Sequence, residues 1–539
     1  MKKLVSRFMA VLMAMTMILS MSMTAFAAEA SKGTLTVNNT VEGKTLDLYQ
    51  IFTATKNGEN VAYTLNSAYE GFFKNNTRIP ESESLTGEAL SEKAYEYVKT
   101  QVGEDGKNGT GFAKEILGWI LANADTVAAT HTTAPTTAGT TVINNLDYGY
   151  YVVYPLGATD TSAAPGEQDY TSVASLVSVT DPTVTINMKS NYPTVVKKVN
   201  DKNADDVNIG DEVTYTLTSK VPDMTGYTSY VFNFKDTLSA GLTFKEITSV
   251  TVGETTITKV DAGQEANDTY TLTQAGQNIT ITMNNFLASN ANKVGQEIKV
   301  TYTVTLNKDA VTGFDANKNS ATVEYSNKPG TDNKGESEPS IVDVHTFNFT
   351  IFKYYLKGAD KTGLANAEFE LYKANEAGDA ADTNAKINIV DEGNGVYRQA
   401  TADEAKATGF TSAKIVSDAD GKVLVKGLDA GTYYLRETKA PEGYNKLLSD
   451  IKVEIKPVYD ETTGKLTSYS VDYTYNGKTT NGAAITNKTD SPEVAVENKT
   501  GAQLPSTGSK GALMVTLAGI VLFGALTASK AFGKKKANN

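Results

Sequence analysis

Residues 297–306 read Glu-Ile-Lys-Val-Thr-Tyr-Thr-Val-Thr-Leu, with an apolar side chain at every second position. Successive side chains of an extended chain point to opposite faces, so this run offers one face to a core and the other to water. The same alternation recurs outward from it, at Val213–Leu217, Ala321–Tyr325, Lys422–Val425 and Thr432–Glu437, with Gly, Asn and Asp turns between. Short alternating strands at such spacing predict β-sandwiches. Leu90–Val102 and Phe112–Ala128 depart from it, repeating apolar residues at the helical period around Trp119. The expected fold is mainly β: tandem immunoglobulin-like β-sandwich domains, the first with a helical insertion.

A chain of 539 residues suits about three domains at roughly 100–200 residues each. With 40% hydrophobic residues it has ample material for cores, which excludes general disorder. Polar linkers at Ser190-Asn191-Tyr192-Pro193 and Asn327–Pro339 divide the body into expected domains at 28–190, 191–342 and 343–499. There is no Cys, so no disulfide staples them. The net charge is −12, and the basic residues at both ends make the body between them more acidic still. That excludes a nucleic-acid binder.

The two ends specify an address. Residues 1–27 place Lys2, Lys3 and Arg7 before the apolar run Phe8–Met23 and the small-residue site Ala25-Phe26-Ala27, the pattern of a secretory signal peptide cleaved before Ala28. In the final segment, 500–539, Leu504-Pro505-Ser506-Thr507-Gly508 precedes the apolar stretch Gly511–Ser529, then Lys530 and Lys534-Lys535-Lys536. The stretch is long enough to span a bilayer, and the basic tail keeps the C-terminus cytoplasmic. These three parts in order resemble the cell-wall sorting signal of Gram-positive surface proteins. The resemblance implies that a sortase cleaves between Thr507 and Gly508 and passes the Thr507 carboxyl to an amine.

Several polar residues fall on apolar faces. Lys197 shares a face with Val195 and Val199, Asp236 with Phe232 and Phe234, and Asn319 with Ala321, Val323 and Tyr325. The third domain repeats the set: Lys353 with Phe349, Ile351 and Tyr355, Glu437 with Tyr433 and Leu435, Asn498 with Val494 and Val496. Buried charges are costly unless paired or neutralised. One reading is two buried ion pairs, each with a hydrogen-bonded Asn. The other is a self-formed Lys–Asn isopeptide bond. Burial favours a neutral, nucleophilic amine and a protonated acid, and the acid then polarises the Asn carbonyl as the amine attacks. Asp236 and Glu437 are the acids, Lys197–Asn319 and Lys353–Asn498 the crosslinks. Asn487 shares the parity of Asn498 and remains an alternative. In the first domain Leu35 and Val37 share their face with no base, so no such bond is expected there.

Residues 433–444, Tyr-Tyr-Leu-Arg-Glu-Thr-Lys-Ala-Pro-Glu-Gly-Tyr, match the YxLxETxAPxGY box of sortase-assembled pilins and collagen-adhesin B-type domains. The segments Lys235–Leu242 and Asn319–Val323 resemble the acid-bearing and Asn-bearing segments of the middle domains of the same family. The chain as a whole resembles a Gram-positive backbone pilin. That likeness implies a structural protein: subunits joined by a sortase into a cell-surface fimbria anchored to peptidoglycan, with accessory pilins as further partners. It also implies Glu437 as the bond-promoting acid.

Backbone pilins receive the next subunit on an exposed lysine at this first junction. Val184, Ile186 and Met188 face inward, which puts Lys189 outward and makes it the candidate, with Lys197 and Lys198 as rivals. The family's Tyr-Pro pair is absent at that point. A monomeric wall-anchored adhesin of the same domains is the alternative function. No catalytic cluster outside the crosslinking sets suggests an enzyme, and no cofactor or metal is expected. His131 and His345 read as surface residues, and Asp418–Gly421 as a strand-joining turn, since Val423 stands where a calcium loop needs Gly.

Overall fold

A computed structural model describes residues 32–103, 109–158, 174–188 and 191–500. The signal segment, the LPSTG motif, the apolar stretch after it and Lys189 lie outside the described residues. The chain is mostly strand with few helices. It forms two compact units. The first runs to Thr346 and takes in Tyr459–Thr467; the second holds Phe347–Val458 and the chain from Ser468.

The first unit opens with a three-stranded sheet in the order Gly139–Asp147, Lys32–Thr40, Thr183–Asn187. Facing it is a sheet ordered Asn60–Leu65, Leu46–Asn57, Gly149–Pro155, Ser175–Val179. Helices Gly87–Val102 and Gly109–Ala122 cover the far side of this second sheet. Leu48, Tyr151 and Val153 pack between the sheets, while Ile51, Val152 and Tyr154 meet Ala94, Phe112 and Ile116 of the helices. Burial on both faces explains why Leu46–Phe52 is buried without alternation. The second helix stops at Ala122, short of the expected Ala128. Asn123 donates its side-chain amide to Trp119 O at 2.8 Å, a local bond that competes with further helix.

Beyond residue 191 the same unit contains a second sandwich. One sheet runs Leu242–Val252, Glu297–Leu306, Glu212–Lys220, Val196–Val199; in the other, Ser340–His345, Asn317–Ser326, Phe232–Leu238 and Asn278–Met283 are consecutive neighbours. Val213, Leu217, Val300 and Val304 from the first meet Phe232, Phe234, Ala321 and Val323 from the second in one core. Ser340–His345 pairs with Asn317–Ala321, so this strand runs through the expected boundary at 342/343. The Asn319 strand is therefore interior to its sheet rather than the closing strand.

In the second unit, Phe347–Lys357 lies between Lys422–Leu428, antiparallel to it, and Glu493–Glu497, parallel to it. The opposite sheet contains Glu368–Ala374 and Gly431–Lys439 as antiparallel neighbours. Each alternating run quoted from the sequence falls inside one of these strands.

Candidate functional site

Lys197 occupies the edge strand Val196–Val199, opposite Leu217. Its backbone N–H donates to Ser340 Oγ at 2.9 Å, which ties the strand to the other sheet. The side chain crosses the core and is wholly buried, its ammonium paired with Asp236. Asp236 and Asn319 come from adjacent strands of that opposite sheet. Asp236 pairs with Ala321, two residues from Asn319, so both point the same way. The loop leaving Asp236 is held tightly. At Gly241 a Cβ would stand 2.2 Å from Asn317 Oδ1 and 2.6 Å from Ala310 Cα, so only glycine fits the approach.

Three aromatic-lined contacts complete the first site. Lys197 Nζ lies 5.0 Å and 5.2 Å from the Tyr215 and Tyr302 ring centres, and donates to Tyr302 Oη at 2.6 Å. Removal from water lowers the Lys197 pKa from 10.5 to about 8, against the opposing attraction of Asp236. Among the described residues, Asp236 Oδ1 and Asn319 Oδ1 are buried with no hydrogen-bond partner. An orphaned buried acceptor costs about 1–3 kcal/mol.

The second site has the same components in a different arrangement. Lys353 lies on Phe347–Lys357 and Asn498 directly follows the neighbouring parallel strand Glu493–Glu497: Lys353 pairs with Val496, and Asn498 N donates to Tyr354 O at 2.9 Å. Glu437 reaches them from the opposite sheet. Its Oε1 is 3.0 Å from Lys353 Nζ, with both side chains wholly buried. Asn498 Nδ2 donates to Glu437 Oε1 at 3.2 Å and to Asn445 O at 2.9 Å. Leu447 N donates to Glu437 Oε2 at 2.7 Å. Burial lowers Lys353 from 10.5 to about 8 against Glu437. Asn498 Oδ1, like Asn319 Oδ1, is buried without a partner among the described residues.

The box at 433–444 now has a physical reading. Tyr433 and Leu435 fill the core on the same face of the strand that carries Glu437 inward. The turn through Pro441 and Tyr444, closed by Tyr444 N donating to Pro441 O at 3.1 Å, returns the chain so that Asn445 and Leu447 meet Asn498 and Glu437. These two backbone groups escaped the sequence reading, because their role depends on where the turn lands. Asp418–Gly421 is a turn: Asp418 Oδ1 accepts from Asp420 N at 2.9 Å and from Lys422 N at 2.8 Å. It also supports the site. Gly421 O accepts from Lys353 N at 2.7 Å, and at its φ of +73° a Cβ would lie 2.2 Å from Lys353 O.

Other candidates fall elsewhere. Asn487 is exposed, donating to Asp490 Oδ2 at 2.8 Å, and is not brought to Lys353 or Glu437. Lys197 is too buried to serve as an exposed amine, while Lys198 is half-buried and donates to Asn203. Thr185 and Asn187 are exposed, Val184 and Ile186 half-buried and Met188 buried. No lysine is buried among the described residues of the first sandwich. His345 corrects its surface assignment: it is 2% exposed and packs edge-on to Tyr459, ring centres 6.0 Å apart, because its strand is interior to the unit. His131 is half-buried and pairs with Leu48. Among the described residues no group of acids and histidines is arranged to hold a metal, and no helix is long and apolar enough to cross a membrane.

Two stretches match family models. Residues 209–329 match the Gram-positive pilin backbone subunit 2, Cna-B-like domain, and residues 353–469 match the SpaA prealbumin-like fold domain. Fimbrial subunit type 2 of Actinomyces naeslundii is 28% identical over 266 residues, 46% of this chain and 48% of the relative. The trypsin-resistant surface T6 protein of Streptococcus pyogenes serotype M6 is 24% identical over 322 residues, 53% of this chain and 50% of the relative. The chain thus spans about half the length of the curated relatives it matches. Among solved structures, the T6 backbone pilin of serotype M6 Streptococcus pyogenes shares 17% identity, covering 88% of this chain and 99% of its own, at a TM-score of 0.45.

Proposed function

We propose that this chain, which carries two pilin-type domains, is the shaft subunit of a Gram-positive surface fimbria. A sortase joins Thr507 of one subunit to Lys189 of the next, and the finished polymer is anchored to peptidoglycan, with accessory pilins as further partners. Within each subunit Lys197–Asn319 and Lys353–Asn498 form amide bonds as the domains fold. The observation that carries this reading is the pair of buried Lys–acid–Asn sites, each in its own pilin-type domain. Each brings a lysine of depressed pKa to an amide whose carbonyl lacks a partner. A fibre under tension gains from such bonds. An amide between the two sheets, or between the first and last strands of a domain, carries load past the hydrogen-bonded ladders between them.

The test is a denaturing gel of wall extracts from cells expressing the chain. A ladder of detergent-resistant multimers is expected, and it should vanish in Lys189→Ala while secretion and folding persist. A single monomer band in the unmutated chain would favour the monomeric adhesin. Loss of the ladder in Lys198→Ala, with Lys189→Ala unaffected, would move the junction to that lysine.

A further inference from the structure

Tyr302 adds a side chain to the first site that face parity among charged and amide residues does not single out. It alternates with Val300 and Val304 on the inner face of its strand, and its ring stacks on Tyr215 at 5.4 Å. Its hydroxyl accepts from Lys197 Nζ at 2.6 Å and from Asn319 Nδ2 at 3.0 Å, and donates to Asp236 Oδ2 at 2.7 Å. Burial and then the Asp236 charge hold the phenol well above its usual pKa, so it keeps its proton. The two nitrogens it touches are the one that attacks and the one that leaves.

Resting on the bond-forming reading above, we propose that Tyr302 is a catalytic proton relay for the Lys197–Asn319 condensation, passing a proton from the attacking nitrogen to the departing one. The Nζ–Cγ bond forms and the Cγ–Nδ2 bond breaks. The neutral amine gives up one of its two hydrogens, Nδ2 gains one, and ammonia departs. The hydroxyl takes the Nζ proton and, turning from Asp236, delivers its own to Nδ2, so that it ends as it began. No oxidant, reductant or water is consumed.

The comparison between the two sites says why one needs this group. Glu437 reaches both reacting nitrogens itself, Lys353 Nζ at 3.0 Å and Asn498 Nδ2 at 3.2 Å. Asp236 is one methylene shorter. It pairs with Lys197, and among the described residues no hydrogen bond joins it to Asn319. The Tyr302 hydroxyl spans that gap.

The experiment uses the full chain made in a short cell-free pulse, quenched in acidic denaturant at intervals and digested. The Lys197–Asn319 and Lys353–Asn498 crosslinked peptides are then quantified by mass. Tyr302→Phe keeps the stacked ring and removes Oη. It should slow the first crosslink by roughly 100-fold, the scale of a lost proton-transfer group, and leave the second unchanged in the same molecules. Adding Asp236→Glu, an acid long enough to reach as Glu437 does, should restore much of the rate. Crosslinking at the unmutated rate in Tyr302→Phe overturns the relay. So does a slow rate that Asp236→Glu leaves unrelieved, which assigns the hydroxyl to packing. Absence of both crosslinked peptides from the unmutated chain refutes instead the bond-forming reading beneath it.

Discussion

Asn319→Ala leaves Lys197 and Asp236 in place but removes the carbon that the amine attacks, so the amine stays titratable. In the folded chain burial sets its pKa at about 8; in the unfolded chain it returns to about 10.4. Between those values the unfolded chain binds more protons than the folded one, so stability rises with pH. The penalty is fully present below the folded pKa and fades as pH approaches the unfolded one. At ~1.4 kcal/mol per unit it amounts to about 3 kcal/mol. Roughly 2 kcal/mol of this is relieved between about pH 7 and pH 9.5. In the bonded chain the same nitrogen is an amide whether folded or not and contributes no slope. Pulse proteolysis across a urea series, with fragments assigned by mass to residues 191–346, reads the domain's stability at each pH. The variant should gain about 2 kcal/mol relative to the unmutated chain over that range. Parallel pH profiles for the two proteins would refute the reasoning.

Two further outcomes are expected. The intact mass of the mature protein should fall short of the mass of the mature sequence by two ammonia equivalents; Asn498→Ala should restore one and Asn487→Ala none, because only Asn498 stands beside Glu437. Glu437→Gln, close in shape, should block the second bond and release the loop it closes. For loops of about 120 and 145 residues the chain-entropy estimate is about 5 kcal/mol each. The unlinked domain should therefore unfold faster and be cut sooner by protease, and a protease lifetime equal to the unmutated chain's would reject that role.

The strands and the parity of their faces were legible in the sequence, because a period of two leaves little choice once one face must leave water. Val195, Lys197 and Val199 share a face in the sequence, and the three are buried together in the fold. The helical insertion was legible for the same reason at a different period. Its end was not, since Asn123 stops the helix through a bond that composition does not reveal. Burial of His345 was also hidden, because it depends on which strand its own strand lies beside. The choice between Asn487 and Asn498 illustrates the limit most clearly. Each falls on the apolar face of its own stretch, Asn487 with Ile485 and Asn498 with Val494 and Val496, and only the parallel pairing of Glu493–Glu497 with Phe347–Lys357 brings one of them to Lys353. Alternation along a strand states which way a side chain points. Which residues it meets is decided by strand order, register and the landing of turns, and these come from contacts between segments far apart in the chain. Tyr302 belongs to that class: on its own strand it is one more inward ring, and only the facing sheet makes its hydroxyl a link between Lys197 and Asn319.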